Sequence, residues 1–220
     1  MQPRIQSLWT ALAGVPTTFG GDVVVSPGSA LCPPGWSGVV TIENKAVVTA
    51  PTPAAAALLR DALAGLPVPE WTSPEALRAR LPVDEFLGPA TLAYCSALRP
   101  ADTSDVSTGS WESLVASPED AGEAGLDEIT SPAFVIRAGR QVVAAAGYRR
   151  WPSDVAHLSV LTAEPFRGRG LARAVASAAV ADALEAGLLP QWRARPEPSR
   201  RVARALGFTE LGTQLSLRLA

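Results

Sequence analysis

Leu158-Ser-Val-Leu-Thr-Ala-Glu-Pro-Phe-Arg-Gly-Arg-Gly-Leu-Ala172 is the stretch from which the rest of the chain can be read. Its opening residues are apolar or β-branched and read as the end of a strand. Gly168 and Gly170 then make a tight turn, and an Ala-rich run follows that reads as a helix. Glycine admits backbone dihedrals that other residues resist, and it lets a ligand come close. The first amides of a helix have no partner inside it and point out of its end, where the helix dipole adds positive character. Arg167 and Arg169 add formal charge. The combination suits a pyrophosphate. The plainer reading is an ordinary glycine turn ahead of a helix. The loop lacks the Lys-Ser/Thr ending of a P-loop, which argues against nucleotide hydrolysis. It also lacks the glycine spacing of a dinucleotide fingerprint.

Working outward, the second half of the chain has a regular rhythm. Thr91–Leu98 is a strand candidate. Trp111–Val115 and Pro118–Glu128 read as helix or loop. Ala133–Arg137 and Gln141–Tyr148 flank Ala138-Gly139-Arg140 and predict a β-hairpin. Val155–Thr162 is a strand. Gly168–Ala186 is a helix closed by Gly187, apolar on most sides and therefore largely buried. Leu188–Arg193 is a strand, and Ser199–Leu206 a helix closed by Gly207. Thr213–Leu219 alternates strictly, so it predicts a half-exposed strand. Before residue 90 the chain is rich in Pro and Gly. There Val23–Val25 and Val39–Ile42 read as strands, Pro53–Ala64 as a helix, and Ser73-Pro74-Glu75 as the start of a short helix reaching about Arg80. The order predicts an α+β protein: a twisted mixed sheet flanked by helices over residues 90–220, with an additional α/β region over residues 1–89.

Bulk composition narrows the chemistry. The chain has 220 residues, 47% hydrophobic and 18% charged, which is ordinary for a globular protein. A formal net charge of -2 offers no broad attraction to nucleic acid or anionic lipid. The only histidine is His157, and Cys32 and Cys95 lack metal-ligand spacing, so no metal site is expected. No run has the length of a membrane span, and the N-terminus lacks a signal-peptide pattern. These features predict a cytoplasmic protein with no membrane partner.

The turn and its surroundings resemble the GNAT acetyltransferase superfamily. The family's loop pattern, Arg/Gln-x-x-Gly-x-Gly/Ala, is matched by Arg167-Gly168-Arg169-Gly170-Leu171-Ala172. Leu98-Arg99-Pro100-Ala101-Asp102 is similar to the end of the family's first strand. The strand pair around Gly139 is similar to its central hairpin. Leu206-Gly207-Phe208 followed by Gly212 is similar to its closing strand pair. The resemblance covers about residues 90–220 and implies acetyl-CoA as co-substrate. By position it implies that backbone groups of Val160, Leu161 and Thr162 hold the acetyl-pantetheine arm. The amides of Arg167, Gly168, Arg169, Gly170, Leu171 and Ala172 would cradle the pyrophosphate, with Ser199 near the pantetheine or diphosphate. The acceptor implied is a primary amine, or a hydroxyl, on a small molecule or protein. Residues 1–89 would shape its pocket, and a homodimer is compatible with the reading.

The chain departs from the family pattern at two positions. Where many members carry an Asn this chain has Pro196, and where many carry a Tyr that protonates the leaving thiolate it has Ala203. An acyl-CoA-binding or ligand-sensing module without turnover is therefore the alternative.

Several residues carry two readings each. His157 is a candidate general base, with a hydrogen-bonded core histidine as the plainer reading. As a base it would shape the pH–rate profile near neutrality. Alternation puts His157, Ser159 and Leu161 on one face of their strand and Leu158, Val160 and Thr162 on the other. Asp154 is a weaker base candidate and a natural turn residue. Ser199 is equally readable as a helix N-cap. Trp192 reads as core, and the hydroxyls of Tyr94 and Tyr148 are candidates to replace the missing proton donor.

Overall fold

A computed structural model of the chain describes residues 1–114, 122 and 124–220. Within them the elements run α1 (Gln2–Leu12), β1 (Val24–Val25), β2 (Ser37–Ile42), β3 (Lys45–Ala50), α2 (Pro53–Leu63), α3 (Pro74–Arg78), β4 (Val83–Tyr94) and β5 (Ser107–Thr108). They continue with β6 (Phe134–Ala138), β7 (Gln141–Trp151), β8 (Val155–Thr162), α4 (Leu171–Glu185), β9 (Leu189–Ala194), α5 (Glu197–Ala205) and β10 (Thr209–Leu219). Short 3-10 turns span Val68–Thr72, Leu126–Glu128 and Glu164–Phe166. The readings of Trp111–Val115 and Pro118–Glu128 reach into residues outside the described ones. The architecture is mixed α/β, with sheet strands flanked by helices.

The chain divides into two compact units: residues 1–92 together with 210–220, and residues 93–209. The first has strand order β1-β3-β2-β10-β4. β2 and β3 form a hairpin from Gly38↔Thr49 to Ile42↔Lys45, turning at Glu43, whose φ of 53° is left-handed. β10 runs antiparallel to β2, from Gly212↔Ile42 to Leu217↔Ser37. Leu215 and Leu217 join Val39, Val48, Leu59 and Leu77 in the core of this unit. The reading of β10 as half-exposed is corrected here. Gln214 and Ser216 are buried as well, because the chain at Leu31 and Cys32 covers the face they share with Gly38. Gln214 satisfies its burial by donating from Nε2 to the Leu31 carbonyl at 2.6 Å. The helix α2 starts where Thr52 caps the Ala55 amide, with Pro53 in its first turn. Helix α1 and strand β3 are additions to the sequence reading. In α1, Ile5, Leu8 and Trp9 form a short buried stripe at helical spacing.

The second unit has strand order β9-β8-β7-β6-β5. Pairing is antiparallel from β5 to β8 and parallel between β8 and β9. The predicted hairpin is β6–β7, with Gly139 at φ 63° in its turn. The predicted strand Thr91–Leu98 lies further upstream, as Val83–Tyr94. On one face, α4 sets Val175, Ala176, Ala179, Val180 and Ala183 against Ala144, Ala146, Tyr148, Ala156 and Leu158. Alanine on both surfaces lets helix and sheet approach closely. Of its fifteen residues only Arg173 and Glu185 are exposed, as the all-round apolar pattern predicts. On the opposite face, residues 125–131 lie across β7 and β8. Ser159 donates to the Gly125 carbonyl at 3.0 Å, and the Tyr148 amide donates to Ser131 at 2.9 Å. Gly147 lies beneath them, and a Cβ there would stand 2.7 Å from Ile129 Cδ1, so the Ile129 side chain would have to shift.

Candidate functional site

The site begins with two strands that part. β8 and β9 pair over Val155↔Leu189, Ala156↔Pro190 and His157↔Gln191, and no further. β8 continues to Thr162 and β9 to Ala194. Beyond His157 and Gln191 the two strands therefore form an open fork. Which backbone groups face it follows from alternation. The Leu189 amide donates to the Asp154 carbonyl, so even-numbered β8 residues turn their backbone polar groups towards β9. The Ala163 amide donates to the Val143 carbonyl, so odd-numbered ones turn towards β7. Val160 and Thr162 thus present N–H and C=O groups to the fork, together with the carbonyl of Leu158, whose N–H closes the last parallel pair. Those of Leu161 belong to the β7 ladder, which removes Leu161 from the three backbone holders expected here.

The turn after β8 leads into α4. Gly168 and Gly170 have φ of 77° and 81°, the left-handed region that favours glycine. The helix starts at Leu171 rather than Gly168, because those two glycines are spent on the turn. A Cβ at either position would meet nothing within 4 Å. The space outside the turn is open. Gly170 is the N-cap residue, and no side chain caps the helix. The Ala174 amide already bonds the Gly170 carbonyl. Among the described residues, the amides of Gly168, Arg169, Gly170, Leu171, Ala172 and Arg173 have no backbone acceptor. Arg167 Nε donates to the Thr162 carbonyl at 3.2 Å, which ties the turn to the end of β8. Arg169 lies over the Phe166 ring at 5.1 Å and donates to the Pro165 carbonyl. An anion at this mouth would meet free N–H groups, the helix dipole and two nearby guanidinium groups. Thr162 Oγ1, at the fork end of β8, is buried without a hydrogen-bond partner.

His157 lies at the apex of the fork, on the face away from α4. Its Nδ1 is 2.5 Å from Gln191 Oε1. Its ring stacks on Trp151 with centroids 4.0 Å apart and planes 10° apart. Burial, and next the charge of Arg193, push the imidazole down to about 3, against the Gln191 hydrogen bond, which raises it. The ring is therefore neutral near neutral pH. It retains an accepting lone pair, and its titration does not fall in the neutral range expected from sequence.

The remaining candidates are distributed as follows. Asp154 is left-handed, φ 54°, in the turn before β8, at the closed end of the strand pair. Ser199 is not the N-cap of α5. That position is Pro196, and Ser199 sits one turn inside, accepting the Trp192 indole N–H at 3.0 Å. Trp192 is core, edge-on to Phe208 at 5.5 Å. Tyr148 donates its hydroxyl to Asp182 of α4 at 2.6 Å, and burial with Asp182 pushes it up to about 12. Ala203 is 2% exposed, within the core. Gln191, Trp151 and Arg149 were not singled out by sequence reasoning. The signal for Gln191 was one uncharged polar residue inside an apolar strand.

Among the described residues, no group of three or more His, Cys, Asp or Glu could hold a metal ion. None of the described helices is long and apolar enough to cross a membrane.

Comparison with known proteins adds the following. Residues 131–213, which hold the fork, the turn, α4 and α5, match the family model of the GNAT acetyltransferases. No curated protein matches the chain. Among solved structures, a GNAT-family protein from Novosphingobium aromaticivorans is 20% identical with a TM-score of 0.49, over 61% of this chain and 65% of that one. An acetyltransferase of the GNAT family from Colwellia psychrerythraea is 17% identical with a TM-score of 0.48, over 66% of this chain and 61% of its own. A GCN5-related N-acetyltransferase-like protein from Streptococcus suis is 24% identical with a TM-score of 0.44, over 60% and 61% respectively. The match thus spans less than two thirds of each of these three chains.

Proposed function

Starting from the match of residues 131–213 to the family model of the GNAT acetyltransferases, we propose that this protein transfers an acetyl group from acetyl-CoA to a primary amine of a small molecule or protein, in the cytoplasm. One observation carries the reading: the open amides at the start of α4 lie directly after the strand that lines an unpaired fork. The anionic end of the co-substrate would lie on the amides from Gly168 to Ala172, and its arm along the free edge formed by the Leu158 carbonyl, Val160 and Thr162. These residues fit the group, since the amides from Gly168 to Ala172 have no backbone acceptor among the described residues and Gly168 and Gly170 leave the outside of the turn open.

Bound there, the thioester supplies an acyl carbon activated for direct attack by an amine nitrogen. The chain's own contribution is placement of two partners in one cleft and orientation of N–H groups towards the carbonyl oxygen. His157 holds a lone pair in the neutral state and takes the amine proton, directly or through one water. It does so without titrating between pH 5 and 8. Tyr148 is not the acid that protonates the leaving thiolate, because Asp182 already holds its hydroxyl.

Pro196 and the buried Ala203, standing at the family's Asn and Tyr positions, favour the second reading of an acyl-CoA-binding module without turnover. Calorimetry with CoA and a thiol-release assay over an amine panel separate the two. Binding with thiol release supports transfer, and binding without release across the panel supports the module. Gly170→Glu places bulk and negative charge at the helix mouth, so CoA affinity should fall by at least about tenfold. An unchanged dissociation constant in that variant removes the turn from the mechanism.

A further inference from the structure

The apex of the fork holds a polar pair that the reaction as described leaves half explained. His157 and Gln191 are the last residues paired between β8 and β9, and their side chains meet on the face away from α4. The geometry points to Gln191 as the positioning residue of the acceptor site: its Oε1 accepts the Nδ1–H of His157, so the imidazole presents its Nε2 lone pair to the amine. This rests on the reading of the chain as an acyltransferase with His157 as its proton acceptor.

Three features support the assignment. Gln191 is fully buried, between Pro190 and Trp192, which are buried as well. An amide in such a place is costly unless its polar atoms are used. Its oxygen is used, at 2.5 Å from the ring nitrogen. Its Nε2 is buried without a hydrogen-bond partner. Second, the stacked Trp151 sets the plane of the imidazole. Gln191 then sets which nitrogen carries the proton, since the partner of one nitrogen decides the state of the other. Third, the charged groups around the ring keep the resting imidazole neutral, the only state in which one nitrogen carries the proton and the other is bare. Arg149 stands opposite His157 on β7, Arg193 lies two residues beyond Gln191 on β9, and both act on the ring. Glu128 is paired with Arg149 at 2.7 Å. The opposite amide orientation would place the proton on Nε2 and leave no base facing the acceptor.

His157 is the chain's only histidine, so imidazole 15N NMR of the full chain reads this ring without assignment. The expected wild-type spectrum shows Nδ1 protonated and Nε2 bare from pH 5 to 8. Gln191→Leu should release the ring to a mixture of tautomers and lower kcat by at least about tenfold, with KM for acetyl-CoA unchanged. Gln191→Glu retains an acceptor. It should keep the Nδ1–H, raise the pH at which the ring titrates and recover part of kcat. A wild-type ring protonated at Nε2, or a Gln191→Leu spectrum identical to wild type, overturns the proposal. The NMR experiment requires no co-substrate. A held tautomer in a protein that neither binds CoA nor releases thiol would refute acyl transfer and leave the Gln191–His157 pairing in place.

Discussion

His157 shows how one position is set by its neighbours rather than by its own chemistry. Its residue type and its strand were legible in the sequence, and so was its face. The state of its ring was not, because Gln191, Trp151, Arg149 and Arg193 come from strands that only the sheet brings together. The linkage has a definite sign. The folded ring titrates near 3, and an unfolded histidine titrates near its usual 6.5. Between those values the unfolded chain binds the extra proton, so stability falls as the pH is lowered. From pH 7 to pH 5 this amounts to about 2 kcal/mol, above the range where carboxylates dominate. Urea midpoints at the two pH values should show it, and His157→Phe, which keeps a ring against Trp151, should remove most of it. An equal pH dependence in both proteins would mean the ring is not held neutral. Of the two readings of Ser199, the N-cap one fails for a related reason. Its bond to the Trp192 indole is a contact between elements, invisible to a rule about local chain signals.

At the scale of elements, boundaries marked by chain chemistry were readable. Val155–Thr162 was predicted with its observed bounds, and α2 begins and ends where Pro53 and Gly65 signal. The start of α4 was displaced by three residues because a glycine can serve a turn or a helix end, and φ decides which. The fork itself was implied by resemblance alone. Pairing ends where two strands diverge, and neither strand's sequence records the divergence. Close packing adds a demand that a single strand hides. A Cβ on Gly212 would lie 1.9 Å from the Thr41 carbonyl oxygen, a backbone atom that cannot swing aside. Gly212→Ala should force the first register of the β10–β2 pair open and destabilise the protein by at least about 1–3 kcal/mol. Chemical denaturation measures this. A loss below half a kcal/mol would show that the strand ends give way freely.

At the scale of the whole molecule, the unit formed by residues 1–92 is completed by residues 210–220. β10 lies between β2 and β4, and its Leu215 and Leu217 are fully buried in that unit's core. Deleting residues 210–220 should therefore expose the hairpin of β2 and β3 and the helix α2 to protease. The core of the unit formed by residues 93–209, built on α4 and its sheet, should stay protected. Limited proteolysis read by mass spectrometry distinguishes this from uniform protection, which would show β10 to be dispensable.

The sequence by itself determined what depends on neighbours along the chain. That includes most strands and helices, the glycine turn ahead of an uncapped helix, the family resemblance of the second half and the single imidazole. The tertiary structure alone decided which backbone edges remain unpaired, which polar atoms sit together at the apex of the fork, and which unit the last strand completes. The reason is physical. Turn and helix signals act over a few residues of chain, whereas desolvation, hydrogen bonding and packing act between groups that are close in space, however far apart in sequence.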